Sequence, residues 1–327
     1  MLYLYEGIFV TSKELLYVKT IAEIGNMSKA AKKLFIAQPS LSQSLQRLED
    51  SLGAPLFNRT PGGLTLTYIG EKYYQAANQI LKIYGDLEVA VSDLNNLKTG
   101  RIHLGITPHL SSIVLPKVLP KFKDQCPAIE IFITEANSTI LEEKLVSGDL
   151  DFAVIHVSPV CHKPMFKYNS LRRDPFIVVA SEDSHLNQLA VSDPDYPFPL
   201  LDLSYIKEEP LLLLQKQQRI RQVSEGILRN AGLNQFNLAL TLGNYRTAQL
   251  LATEGYGVTL VPTSYSVAVS YDKKPAFFSI HDQYDPYWNM CITTMPEAYL
   301  SKADLRFIET LKSTLSNDVG NKKTAEN

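Results

Sequence analysis

Residues 38–47, QPSLSQSLQR, hold serines and glutamines between leucines, with one cation, Arg47. On a helix starting near Pro39, Leu41, Leu45, Leu48 and Leu52 fall on one face, which must be buried. The other face then carries Ser42, Gln43, Gln46 and Arg47, with Gln38 and Ser40 at its N-terminal edge. Short hydroxyl and amide groups at an exposed helix start pack poorly but can read base edges in a major groove. A polar surface helix in an all-α bundle is the plainer alternative. On the preceding helix Lys29, Lys32 and Lys33 could contact phosphates or form a solvated face. A second set lies beyond residue 100: Thr107, His109, Ser111 and Ser112 after one strand-like stretch, Asn137, Ser138 and Thr139 after the next. Hydroxyls beside free helix-start amides suit a carboxylate or other small anion, although the same residues also cap helices. Arg219, Arg221 and Arg246 sit near later helix starts, and Arg219 or Arg246 could clamp an anion across a cleft.

Catalytic signatures are missing. The six histidines form no HExxH, and no GxSxG, P-loop or strand-borne GxGxxG occurs, so no enzyme, cofactor or metal is expected. Cys126, Cys161 and Cys291 lie far apart, which suggests reduced thiols in a cytoplasm, with Cys161 beside His162 an inert one. No apolar run is long enough for a bilayer, and MLYLYEGIFV lacks the marks of a secretory signal. At 327 residues with 45% hydrophobic and 20% charged side chains, the chain suits two or three soluble domains. A formal charge of −2 does not advertise a nucleic-acid partner, but global charge says little about one local surface.

Three sections must position these residues. Up to residue 67 the chain reads as short helices: Thr11 and Glu14 form a capping-box pattern, Ser28 can cap a second helix, and IAQ leads into the third. Pro39 belongs in a first helical turn and Gly53 just past the end, followed by a hairpin turning at Gly62-Gly63. This is the arrangement of a helix-turn-helix with a wing. Residues 68–98 suggest a long helix whose Ile69, Tyr73, Ala76, Ile80, Ile83, Leu87, Ala90 and Leu94 make a seam of coiled-coil period, suited to a second chain or to its own domain. Across 99–316 strands and helices alternate, which implies a doubly wound α/β region of two lobes, before a polar tail, 317–327, expected to be disordered.

The stretch from LLYVKTIAEIG through SKAAKKL, QPSLSQ and LQRLEDSLGAPLFNR to LTLT resembles the winged helix-turn-helix of LysR-type transcriptional regulators. The long helix and the α/β region are similar to that family too, so the likeness spans nearly the whole chain. The resemblance implies a C-terminal half like the type 2 periplasmic binding proteins and a tetramer. A homodimer paired along the long helix would set two winged domains about one DNA turn apart, on an inverted-repeat DNA operator, with a small-molecule effector expected between the two lobes. It places Gln38, Pro39, Ser40, Ser42 and Gln43 at the start of the recognition helix, phosphate contacts at Arg47 and Arg59, and Thr107 and Ser138 inside the effector pocket. Ala37 stands where the family commonly has a capping serine, which should cost roughly 1 kcal/mol. Gln43 and Gln46 replace frequent arginines, and Gly62-Gly63 a frequently basic wing, which implies shallow salt dependence. Residues 1–10 precede the family's usual start.

Overall fold

The computed structural model describes residues 10–94, 100–266 and 273–322. Residues 1–9 and 95–99 thus lie outside the description, as does most of the expected NNLKTG boundary. Three helices, α1 (Ser12–Ile24), α2 (Met27–Lys33) and α3 (Gln38–Leu52), precede a hairpin of β1 (Phe57–Thr60) and β2 (Gly63–Leu66). The capping box forms: Thr11 Oγ1 accepts from the Glu14 N–H, and the Glu14 carboxylate accepts the Thr11 N–H at 2.8 Å. It satisfies two otherwise orphaned donors. The cap of α2 is Asn26, whose Oδ1 accepts the Lys29 N–H at 3.0 Å, and not Ser28. Asn26 holds the extended backbone that aims a side chain back at the turn, which leaves Ser28 inside the helix.

Pro39 lies in the first turn of α3, behind Ala37, whose methyl side chain makes no cap bond. Leu41, Leu45 and Leu48 are 0%, 7% and 3% exposed, packed with Val18, Ile21, Ala30 and Leu56. Each buried leucine contributes about 1.5–3 kcal/mol, enough to fix which side of α3 faces out. Glu49 ties α3 to the wing by accepting the Leu56 N–H at 2.6 Å. The hairpin turns at Pro61-Gly62, and Gly63 already belongs to β2. Leu64 donates its N–H to the Gly25 carbonyl at 2.8 Å, and a Cβ on Gly63 would collide with that same oxygen. The glycine that stands in place of a basic wing residue is therefore required by the close approach of the backbones.

The linker helix α4 (Tyr68–Leu94) has 27 residues, so it is roughly 40 Å long. It packs along α1, and its Ala77 is buried, while Ile69, Ile80, Ile83 and Leu87 of the expected seam are exposed. Beyond it come β3 (Gly100–Ile106), α5 (Pro108–Gln125), β4 (Ile129–Glu135), α6 (Ser138–Val146) and β5 (Phe152–Val157). Their strands pair in parallel in the order β4-β3-β5, as βαβ units must. The second lobe holds α7 (Leu186–Leu189), β7 (Leu211–Leu214), α8 (Arg219–Asn230), β8 (Leu238–Leu242), α9 (Tyr245–Thr253), β9 (Thr259–Pro262) and β10 (Pro275–Ser279).

Two long strands join the lobes. β6 (Lys167–Ser181) pairs antiparallel with β11 (Tyr287–Thr294) over its first half and with β9 and β10 over its second. β11 also pairs antiparallel with β5. The sheet is therefore mixed: the chain crosses between lobes in both directions, and adjacent strands of opposite direction pair antiparallel. α10 (Lys302–Lys322) returns to pack on α5. It corrects the expectation of a disordered tail from residue 317, since the helix runs to Lys322. Separate cores fill the lobes, one around Ile102, Phe122, Phe152 and Phe307, the other around Val178, Leu212, Val223 and Trp288. Among the described residues no helix is long and apolar enough to cross a membrane.

Candidate nucleic-acid interface and ligand cleft

With its leucines locked inward, α3 leaves Gln38, Pro39, Ser40, Gln43, Gln46 and Arg47 exposed and Ser42 half-buried. The Gln46 amide donates to Asp50 at 2.8 Å, so an intrahelical bond occupies it. Lys33 pairs with Glu23 at 3.5 Å, whereas Ser28, Lys29 and Lys32 on α2 and Arg59 on β1 are exposed. The uncapped first turn of α3 leaves backbone N–H groups facing outward, where an anion is favoured. Phe35, between α2 and α3, was not marked by its sequence. It is 95% exposed and sits at φ 55°, a backbone setting uncommon for a bulky residue.

Between the lobes lies a cavity of about 340 Å³, lined by Thr107, His109, Asn137, Ser138, Thr139 and Arg219 among others. Four helix N-termini point at it, those of α5, α6, α8 and α9, with Thr107, Asn137, Gln218 and Asn244 as their caps. Asn137 and Asn244 use their side chains as caps, accepting from Ile140 at 3.0 Å and Arg246 at 2.8 Å. Thr107 and Gln218 make no such bond, and both keep a buried side-chain oxygen without a partner. Such atoms are costly in a folded interior, and here both line the cavity.

Two histidines add to this set. His109 bonds Tyr245 through Nδ1 at 3.0 Å and stacks on Tyr265, while His156, 3% exposed, stacks on Trp288 at 4.0 Å. Each has an unpartnered buried Nε2. Burial holds His109 below the ordinary histidine range despite Asp174, and lowers His156 well below it, helped by the charges of His109 and Arg172. A neutral imidazole can donate or accept, so both can answer either kind of ligand atom. Asp174, beneath them, accepts from Trp288 Nε1 at 3.0 Å and from Ser264 Oγ at 2.5 Å.

Arg219 crosses the cleft. Its guanidinium donates to the His156 carbonyl at 2.6 Å and pairs with Glu142 of α6, a carboxylate only 2% exposed. Lys163 bonds the other oxygen of Glu142 at 2.7 Å. Ser111 turns away to Glu135, and Arg246 does not line the cavity, its backbone N–H being taken by Asn244. Six of the eight residues expected at an effector site thus line one cavity and two do not. The aromatic wall of Tyr245, Tyr265 and Trp288 had no sequence signal, since buried aromatics on helices and strands look like ordinary core. Gln218 and Asn244, at helix starts, could have been found from capping position alone.

Profiles of two known regions match the chain: the LysR substrate binding domain over residues 95–316, and the bacterial regulatory helix-turn-helix protein, lysR family, over residues 12–71. The HTH-type transcriptional regulator YcgK of Bacillus subtilis is 26% identical over 308 residues, covering 91% of this chain and 93% of its own. The nitrogen assimilation regulatory protein nac of Klebsiella aerogenes is 28% identical over 260 residues, covering 77% and 78%. Among solved structures, full-length OxyR of Pseudomonas aeruginosa has a TM-score of 0.70 at 21% identity, over 94% of this chain and 95% of that one. Full-length CbnR complexed with its target DNA has a TM-score of 0.59 at 20% identity, over 93% and 100%. At such identities these structural likenesses speak for the fold.

Proposed function

The chain belongs to the LysR family of transcriptional regulators, and from that premise we propose that it reads an inverted-repeat operator through α3 and answers to a small anionic effector in the interlobe cleft. The observation that carries the DNA half is the division of α3 between a buried leucine face and an exposed serine/glutamine edge. Phosphate contact falls to Arg47 and Arg59 with Lys29 and Lys32, and base reading to Ser42 and Gln43 with Gln38 and Ser40. The exposed seam of Ile69, Ile80, Ile83 and Leu87 supports pairing of two chains along α4, because apolar surface in that register favours association. Pairing would set two winged domains about one DNA turn apart. Contacts between C-terminal lobes would then build a tetramer that bends DNA.

The anion preference rests on charge and on donors. Arg219 lines a cavity faced by four helix N-termini, whose unpaired N–H groups and dipoles favour a negative charge. An effector bound there bridges Thr107, Ser138 and Thr139 of one lobe to Gln218 and Tyr245 of the other, so it favours closure. A change in closure then alters the spacing of the DNA-binding pairs, which couples the two sites.

Gel retardation of the DNA upstream of the coding region, with and without a panel of small carboxylates, tests both halves. Specific retardation whose footprint changes with one carboxylate is the expected result. Protein that binds no sequence better than random DNA would refute the operator reading. A footprint that responds only to cations or neutral compounds would refute the anionic effector.

A further inference from the structure

Unpartnered polar atoms collect at a second place. Nine buried side-chain N or O atoms among the described residues lack a hydrogen-bond partner; four lie at the interlobe cleft, and three belong to Asn78 and Asp304. These two residues line a separate polar cavity of about 500 Å³ between the linker helix α4 and the first lobe. Lys19 of α1 also lines it, so the winged domain, the linker and the effector region all meet there.

Most of the charged groups in the wall are paired. Lys82 of α4 pairs with Asp151 and, at 3.1 Å, with Asp86. Lys19 reaches Asp149 at 3.4 Å, and the second oxygen of Asp151 accepts the His103 N–H at 2.7 Å. Asp304, 2% exposed, has no ion pair among the described residues. Its Oδ2 accepts the N–H and hydroxyl of Ser301 at 2.8 and 2.7 Å, which leaves Oδ1 alone. One α4 turn before Lys82, Asn78 is also 2% exposed, and neither its amide nitrogen nor its oxygen has a partner. An amide in that state is expensive in the free protein, and the cavity is far larger than a single water needs. The unmet groups are two oxygens, one of them on a carboxyl group with no ion pair among the described residues, and one amide donor.

We infer that this junction is a second ligand site, for a small molecule bearing a primary ammonium group next to an oxygen acceptor, the chemistry of an amino acid or amino alcohol. The ammonium donates to Asp304 Oδ1 and Asn78 Oδ1, and the neighbouring oxygen accepts from Asn78 Nδ2. No group of three or more His, Cys, Asp or Glu placed to hold a metal ion occurs among the described residues. A ligand here touches α4 and the first lobe together. It would therefore bias the angle between the linker and the effector region independently of the interlobe cleft.

The test is thermal denaturation and calorimetric titration of the full chain with the common amino acids, ethanolamine and putrescine, and with propionate as the ammonium-free control. At least one amine should raise the melting temperature while propionate, at this site, does not. Asp304→Asn should weaken that amine by about tenfold or more, because a charge-assisted bond is lost. Asn78→Leu removes the unsatisfied amide, so it should abolish the response yet leave the free protein more stable, by about 2–4 °C. Gln218→Ala, in the cleft, should leave amine binding intact. The inference falls if no amine binds, if binding survives both junction variants, or if Gln218→Ala removes it. Putrescine, which has no oxygen, should bind at least about tenfold more weakly than the best of the amino acids or ethanolamine, and equal binding would overturn the role given to Asn78 Nδ2.

Discussion

Glu142 offers the sharpest test of how the lobes are held. Its carboxylate is buried in α6 and pairs with Arg219 of α8, whose side chain is 11% exposed, and with Lys163, whose side chain is 47% exposed. Glu142→Gln keeps the volume but leaves a buried guanidinium with the His156 carbonyl as its remaining partner. Removing one member of a buried pair typically costs 3–5 kcal/mol. That surviving bond argues for the lower end, about 3 kcal/mol, a change of roughly 150-fold in the folding equilibrium. Arg219→Met should cost less, about 1–2 kcal/mol, because half-exposed Lys163 can still answer the carboxylate. The double variant should then be more stable than the two losses added together predict, by about 1–2 kcal/mol. Urea denaturation of the four proteins at pH 7 measures this cycle. In the same variants, Arg219 released from Glu142 is free to meet an anion, so Glu142→Gln should tighten carboxylate binding in the cleft by roughly tenfold or more. A loss below about 1 kcal/mol for Glu142→Gln, or strict additivity in the cycle, would refute the claim that this pair bridges the lobes.

Leu45→Ala in α3 should destabilise the protein by about 2–4 kcal/mol in urea and weaken binding to every DNA sequence alike. Ser42→Ala or Gln43→Ala should instead relax preference at one base pair by about 1–3 kcal/mol, read from binding to single-substitution operators; uniform loss would make them positioning residues. Counting Lys29, Lys32, Arg47 and Arg59 of two chains, the slope of log K against log salt should be no steeper than about −7, because Lys33 is held by Glu23. Asp304 gives a pH signature: burial and then the charge of Asp151 push its carboxyl up to about 7, against 3.8 as a free side chain, with the Ser301 bonds and Lys82 opposing. The folded state therefore holds that proton more tightly, an advantage complete below about pH 4 and lost as pH rises through 7, so Asp304→Asn should gain relative stability between pH 5 and pH 8, by at most about 3 kcal/mol. Equal urea midpoint shifts at the two pH values would contradict it.

The N-terminal domain was largely legible because its signals are local. Leucines at steps of four and three, a proline in the first turn, Gly53 at the end and the Thr11/Glu14 pair all act within one helix, where spacing alone states which side is buried. The cap of α2 was misread because Ser28 and Asn26 both have the chemistry, and only backbone geometry chooses between them. In the effector region the elements could be read but not their cross-lobe partners. KYNSLRRDPFIVVAS is polar in its first half and apolar in its second because β6 pairs with β11 over the first and lies buried between β9 and β10 over the second, a change of surroundings that no local pattern announces. Glu142, within TILEEKLV, looks like any acid on a solvated helix. It is buried because Arg219, 77 positions later, comes to meet it.

That distance dependence also explains where the unmet polar groups lie. A buried donor or acceptor within one core can usually find a partner, because neighbouring elements are rigidly placed around it. At a boundary between parts that must move, a fixed internal partner would weld the parts together and oppose the change of shape. The cleft holds its lobes by Glu142–Arg219 while leaving Thr107, Gln218, His109 and His156 unspent, and the junction holds α4 by Lys82–Asp151 while leaving Asn78 and Asp304 unspent. Each boundary thus combines one charged tie with groups that only a mobile third party can satisfy. A ligand that bound at either place and favoured one arrangement of the parts would shift the regulator between states by that difference in affinity.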